Sequence, residues 1–293
     1  VQFQKASLIG VGLLGGSLGS ALRKRRLAAH VEGFVRREAS IAECERLGVV
    51  DRASRDLAAV VRDADLVVLC TPLAQMPELV RSFAPQLKHG ALVTDVGSVK
   101  GVVVRELEPL VAVAGAHFVG SHPMAGGEQT GPAAARAELF QDALCLVTPS
   151  PATAPEALQR TEELWRQLGS RLLRVSPEFH DELVARSSHL PHVLAAELAN
   201  FVLSPAHPPE QAQVCATGFR DTTRIASGSP EMWRDIALAN RVPLSAALVD
   251  VIGNLQQLRH ALDVGDARAL EEFFQTAKHR RDHWLQGGGA TAE

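Results

Sequence analysis

Short apolar runs recur through the first half of the chain, at 5–9, 31–35, 65–70, 91–95, 117–121 and 143–148. Stretches with helical spacing fill the gaps between them. Strands that alternate with helices predict a parallel-rich sheet covered on both faces. Asp65-Leu66-Val67-Val68-Leu69-Cys70 is apolar after its first residue, the pattern of a strand buried on both faces, and it stops at Thr71-Pro72. Past about residue 177 the pattern changes, and 177–284 holds no convincing strand. Residues 179–203 read as one long helix with a kink at Pro191. Residues 230–263 and 266–285 read as further amphipathic helices. The change falls near Val175-Ser176-Pro177, so the chain divides into an α/β domain over 1–176 and an all-α domain over 177–286. The Gly-rich end, 287–293, is expected to be a disordered tail.

The first strand runs into Gly10-Val11-Gly12-Leu13-Leu14-Gly15, and a helix-prone segment follows to about Leu27. Strand, Gly-x-Gly-x-x-Gly and helix in that order form the dinucleotide-binding turn of a Rossmann-type domain. Gly10 permits the sharp turn, Gly12 lets a pyrophosphate approach the backbone, and Gly15 lets helix and strand pack closely. The free N–H groups at the helix start, around Leu13 and Leu14, face the phosphates. Thr71 and Pro72 lie where a nucleotide would rest, at the carboxyl end of a central strand. An NAD site usually carries an acidic residue at the end of the second strand. Here that place falls on Val35, with Arg36 and Arg37 next. A guanidinium there suits a 2′-phosphate, so the cofactor expected is NAD(P), with NADP favoured over NAD. Glu38 remains able to reach a ribose.

Composition narrows the partners. The formal net charge is −3 and the pI is near 6.4. Nothing in that balance calls for nucleic acid or an anionic membrane. The basic runs Arg23-Lys24-Arg25-Arg26 and 278–281 lie on predicted helices and read as solvated faces. No apolar run approaches a membrane span, and no signal peptide is expected, because residue 1 leads straight into the first strand. Four dispersed cysteines, with no Cys-x-x-Cys, suit reduced thiols in the cytoplasm. The helical half carries more apolar residues than one small bundle need bury, which points to a homodimer.

Three segments carry candidate chemistry: Thr94-Asp95-Val96-Gly97-Ser98-Val99-Lys100, Gly120-Ser121-His122-Pro123-Met124-Ala125-Gly126-Gly127-Glu128, and Ser187-Ser188-His189-Leu190-Pro191-His192 with Gly218-Phe219-Arg220-Asp221-Thr222-Thr223-Arg224. His122 closes an apolar strand and opens a Gly-rich loop, so it is expected to face the cleft and to take a proton from a substrate hydroxyl. Ser98 either orients that ring or serves as a helix N-cap. His189 and His192 share a helical face; lacking further ligands at metal spacing, they read as cleft-lining groups, and no metal is expected. Arg220 and Arg224 read as a carboxylate clamp, with Asp221 able to tie one of them into a salt bridge instead.

Together these segments resemble the prephenate/arogenate dehydrogenase family of tyrosine biosynthesis. The resemblance extends over nearly the whole chain and is carried by the glycine turn through Ser17, Asp95 to Lys100, His122-Pro123-Met124-Ala125-Gly126, Ser188-His189-Leu190-Pro191-His192 and Gly218 to Arg224. It implies NAD(P)-dependent oxidative decarboxylation of prephenate to 4-hydroxyphenylpyruvate. His122 would accept the proton of the ring hydroxyl, and Ser98 would orient His122 and contact that hydroxyl. Arg224 would hold the ring carboxylate and Glu128 would gate the cleft. His189 and His192 would line the side-chain end of the pocket, and Trp233 would reach the partner subunit's site. His192 resembles the motif of prephenate-using members, so prephenate is favoured over arogenate, with dual cyclohexadienyl use as the alternative. No fused mutase or regulatory domain is expected beside these segments, so feedback through an added domain is not expected. A two-domain hydroxy-acid dehydrogenase is the more distant alternative. Such enzymes commonly use a Lys on the helical half, and no Lys lies between residues 101 and 277.

Overall fold

The computed structural model describes residues 3–127 and 129–286. Its strands are β1 (Phe3–Ile9), β2 (Ala28–Phe34), β3 (Arg52–Ser54), β4 (Leu66–Leu69), β5 (Leu92–Asp95), β6 (His117–Pro123), β7 (Leu144–Thr148) and β8 (Arg171–Arg174). They form one sheet in the order β3-β2-β1-β4-β5-β6-β7-β8. Every neighbouring pair is parallel except β6 and β7. Between the strands run α1 (Leu13–Lys24), α2 (Ala39–Arg46), α3 (Leu57–Val61), α4 (Met76–Phe83), α5 (Gly101–Ala112) and α6 (Pro155–Gln167).

Leu66 and Val68 point to one apolar layer, with Leu8, Leu18, Val31 and Trp165. Val67 and Leu69 point to the other, with Ile9, Val80, Phe83 and Phe118. This two-sided burial is why β4 is apolar at successive positions. The unexpected strands β3 and β8 sit at the two edges of the sheet. Each is short and carries exposed arginine, so neither presents an apolar run to read.

The helical part holds α7 (Pro177–Val184), α8 (Leu190–Val202), α9 (Glu210–Gln213), α10 (Thr217–Thr223), α11 (Pro230–Ala239), α12 (Arg241–Asp263) and α13 (Ala267–Gln286). The helix expected over 179–203 is interrupted by a π-helical turn, Ala185–His189. Pro191 follows in the first turn of α8, where its missing N–H costs no intrahelical bond. The widened turn before it takes up the irregularity. The helix expected over 230–263 divides after Ala239.

By contacts, the first compact unit extends to Asn240 and the second begins at Arg241. The first therefore runs past the boundary expected near Ser176-Pro177, because α7 packs on α5 and β7. In the second, α12 and α13 pack on each other. Val249, Ile252, Leu255, Phe274 and Trp284 of that unit are exposed. The 287–293 tail lies outside the described residues. The basic run at the end of α1 is held in surface contacts, Arg23 with Asp51 at 2.7 Å and Arg25 with Gln141 at 2.6 Å among them. No single helix among the described residues is long and apolar enough to cross a membrane.

Candidate active site

The strand order reverses between β1 and β4, so their carboxyl ends open on a crevice. Gly10 follows β1 with φ +100°, where L side chains are strained, and a Cβ there would lie 3.0 Å from the Cys70 carbonyl oxygen. Gly12 is the N-cap of α1, and nothing stands within 4 Å of where its Cβ would be. A Cβ on Gly15 would overlap the Gly10 carbonyl oxygen. Leu13 and Leu14 open α1, and the first N–H groups of a helix have no partner within it. Thr71 follows β4, and its Oγ1 is buried without a hydrogen-bond partner among the described residues; Pro72 stands exposed beside it. An open cradle, free N–H groups and an orphaned hydroxyl fit a dinucleotide. Beyond β2, Val35 is buried and Arg36 and Arg37 are exposed.

His122 lies near the carboxyl end of β6, 8% exposed. Its Nδ1 is 2.9 Å from His180 Nε2, and His180 Nδ1 is 2.8 Å from Asp181 Oδ1. Ser176 N-caps α7 by accepting from the Phe179 N–H, and Pro177 follows at its first turn, which brings His180 and Asp181 under the sheet end. Burial, followed by the neighbouring His180, Lys100 and His189, holds His122 well below the usual imidazole range. Burial also lowers His180, against its bond to Asp181. Burial pushes His189 down to about 4.

Behind His122 lies a buried ion pair. Lys100 Nζ donates to Asp95 Oδ2 and, at 2.9 Å, to the Ser121 carbonyl. Asp95 Oδ1 accepts from Ser121 N–H at 3.1 Å. The 94–100 segment thus braces the strand that carries His122.

Ser98 is neither the hydrogen-bond partner of His122 nor the N-cap of α5. Its hydroxyl makes no hydrogen bond among the described residues, and the N-cap residue is Lys100. The start of α5 is capped instead by Asp181, which accepts from Lys100 N–H at 2.7 Å and Gly101 N–H at 2.8 Å. The Ser98 carbonyl bears on the ring of His189.

A second cluster gathers nearby. Trp233 stacks on His192 with centroids 3.7 Å apart and meets His189 edge-on at 6.1 Å. Trp233 thus packs against both histidines of its own chain. Arg224 lies close enough to help lower His192. Arg220 is not brought in. It is 76% exposed and faces Asp221 at 3.7 Å. Glu128 lies outside the described residues. The first nitrogens of the histidine pair diverge: His192 Nδ1 donates to the Ser188 carbonyl at 2.9 Å, and His189 Nδ1 faces Asn240 Nδ2 at 3.0 Å.

His180, Asp181 and Asn240 were not singled out in the sequence, and Lys100 stood there only as the end of the Thr94 to Lys100 segment, with no role of its own. The adjacent His-Asp pair just after a Ser-Pro helix start was the one signal present for the first two.

Residues 18–174 match the prephenate dehydrogenase nucleotide-binding domain, and residues 176–276 the prephenate dehydrogenase dimerization domain. The chain belongs to the prephenate dehydrogenase family. It is 34% identical to a prephenate dehydrogenase of Bacillus subtilis, over 94% of this chain and 74% of that one. It is likewise 34% identical to a cyclohexadienyl dehydrogenase of Zymomonas mobilis, over 95% of both chains. Among solved structures, prephenate dehydrogenase of Aquifex aeolicus in complex with hydroxyphenyl propionate and NAD+ superposes with TM-score 0.90 at 30% identity, over 97% of this chain and 99% of that one. Within this prephenate dehydrogenase fold, the glycine cradle after β1 and the buried histidine centre on β6 stand at the same end of one sheet, with β4 and β5 between them.

Proposed function

We propose that the protein is a prephenate dehydrogenase, oxidising prephenate to 4-hydroxyphenylpyruvate with loss of carbon dioxide. The observation that carries this reading is His122, a buried imidazole held neutral, at the end of a strand in the sheet that bears the dinucleotide cradle. Its free nitrogen takes the proton of the ring hydroxyl. A bound NAD(P) supplies the hydride acceptor. Carbon dioxide leaves from the opposite ring carbon and the ring becomes aromatic, which makes the step effectively irreversible. The protein's task is then chiefly alignment. Gly10, Gly12, Leu13, Leu14, Gly15, Thr71 and Pro72 hold the dinucleotide, and Arg36 and Arg37 favour NADP. Ser98 contacts the hydroxyl, and Arg224 holds the ring carboxylate. His189 and His192, backed by Trp233, line the side-chain end. The exposed apolar residues of α12 and α13 suit a homodimer, and the dispersed thiols suit the cytoplasm.

Arogenate is the second reading, favoured by the likeness to a cyclohexadienyl dehydrogenase. Initial rates with prephenate and arogenate, each with NAD and NADP at equal concentration, test the assignment. The highest kcat/KM is expected for prephenate with NADP. A strong preference for arogenate or NAD overturns that choice, and no reduced dinucleotide from either substrate overturns the function.

A further inference from the structure

The hydrogen-bond chain behind His122 decides which of its nitrogens is bare. Asp181 takes the N–H of Lys100 and the ring of His180 on Oδ1 and the N–H of Gly101 on Oδ2. A carboxylate accepts and does not donate, so the hydrogen between it and His180 is on His180 Nδ1. A neutral imidazole carries one N–H, which leaves His180 Nε2 as a lone pair. That lone pair faces His122 Nδ1 at 2.9 Å, so the hydrogen of His122 is on Nδ1 and its Nε2 is bare. Burial supports the neutral state of both rings.

We infer that His180 and Asp181 are positioning residues that fix His122 as its Nδ1–H tautomer and so reserve Nε2 for the substrate proton. This rests on the reading above of His122 as the base. In the reaction the substrate O–H bond breaks and an Nε2–H bond forms. The imidazolium keeps its Nδ1–H on His180, and His180 keeps its own on the Asp181 carboxylate. The positive charge therefore arises at one end of a chain that ends in an anion.

The anchor is built to stay. The two N–H groups on Asp181 come from the start of α5, where the helix dipole favours an anion. A Cβ on Gly101 would stand 2.8 Å from Asp181 Oδ2 and would push it aside. Buried Asn240 donates to the Asp181 carbonyl at 2.9 Å. The other titratable groups about His122 are Lys100 at the start of α5, His189 in the π-helical turn and Cys145 on β7, with Asp95 behind Lys100. Of the groups about it, His180 is the one hydrogen-bonded to the His122 ring among the described residues.

The test pairs His180→Leu with His180→Gln in the full chain. His180→Leu is expected to lower kcat about 10–100-fold, the usual cost of losing an orienting partner. KM for prephenate and dinucleotide affinity should stay within about threefold. His180→Gln, whose amide oxygen can accept the same Nδ1–H, should recover most of that loss. A His180→Leu enzyme with kcat near wild type, or with its loss confined to KM, overturns the inference. Ring nitrogen-15 spectra of the wild-type protein, with His122 assigned by its disappearance in His122→Asn, decide the tautomer without any reliance on a folded His180 variant. A protonated Nδ1 and a bare Nε2 are expected, and the reverse overturns the inference. A wild-type protein inactive on both substrates would sink the assigned reaction, while the spectra would still decide the tautomer.

Discussion

His122 is nearly enclosed, and that enclosure sets its working range. Its charged form is disfavoured by burial and by His180, Lys100 and His189, so the ring stays neutral to well below pH 6.5. The kcat profile should therefore run flat downward from pH 8 through 6.5 and fall only in more acid solution, where the base becomes protonated. An acid limb centred at or above 6.5 would contradict the assignment. His122→Ala should lower kcat by roughly 10²–10⁴-fold with little change in KM; steady-state kinetics with prephenate give both numbers. His122 stood out in the sequence as a candidate base because a strand end followed by a Gly-rich loop marks a crevice. Its support did not. His180 and Asp181 read as polar positions on an amphipathic helix, and only the docking of α7 brings them to the strand end. Lys100 stood in the sequence only as the last residue of the segment that begins at Thr94. A fully buried lysine defies composition rules and becomes intelligible once Asp95 is seen beside it.

Among the elements, the glycine turn separates two jobs. A methyl on Gly15 would collide with the Gly10 backbone, whereas one on Gly12 would meet nothing in the protein. Gly15→Ala should lower the melting temperature, at a cost of about 1–3 kcal/mol typical of overpacking, and should lose dinucleotide affinity as well. Gly12→Ala should keep the melting temperature and lose affinity alone. Thermal melts beside calorimetric titration with NAD and NADP check the contrast, and equal melting losses would refute it. The strands buried on both faces were legible as apolar runs. The edge strands β3 and β8, with exposed arginines, offered no such run. The π-helical turn before Pro191 has no sequence signature beyond the proline itself, and the proline sits after it.

For the molecule as a whole, the buried histidines set a limit in acid. His122, His180, His189 and His192 are all lowered, mainly by burial. An unfolded histidine titrates near ~6.5, while His189 in the fold does so at about 4. Between those values the unfolded chain binds protons that the folded one does not, so stability falls as pH drops through that window. Melting temperatures taken from pH 7 to 4 should decline, and His189→Gln should flatten the decline. A curve with no slope there would contradict the buried neutral state. The change from alternating strands to helices was legible in the sequence. The compact unit that ends at Asn240 was not, because it depends on α7 packing against α5 and β7.

One carboxylate, that of Asp181, both seals the first turn of α5 and steadies the ring beside His122, the proposed base. The amide hydrogens of Lys100 and Gly101 are thereby tied to a segment 81 residues downstream of Lys100. Their exchange with solvent becomes a gauge of whether that distant segment is seated and, on the proposed role of His180, of whether a given molecule can turn over at that instant.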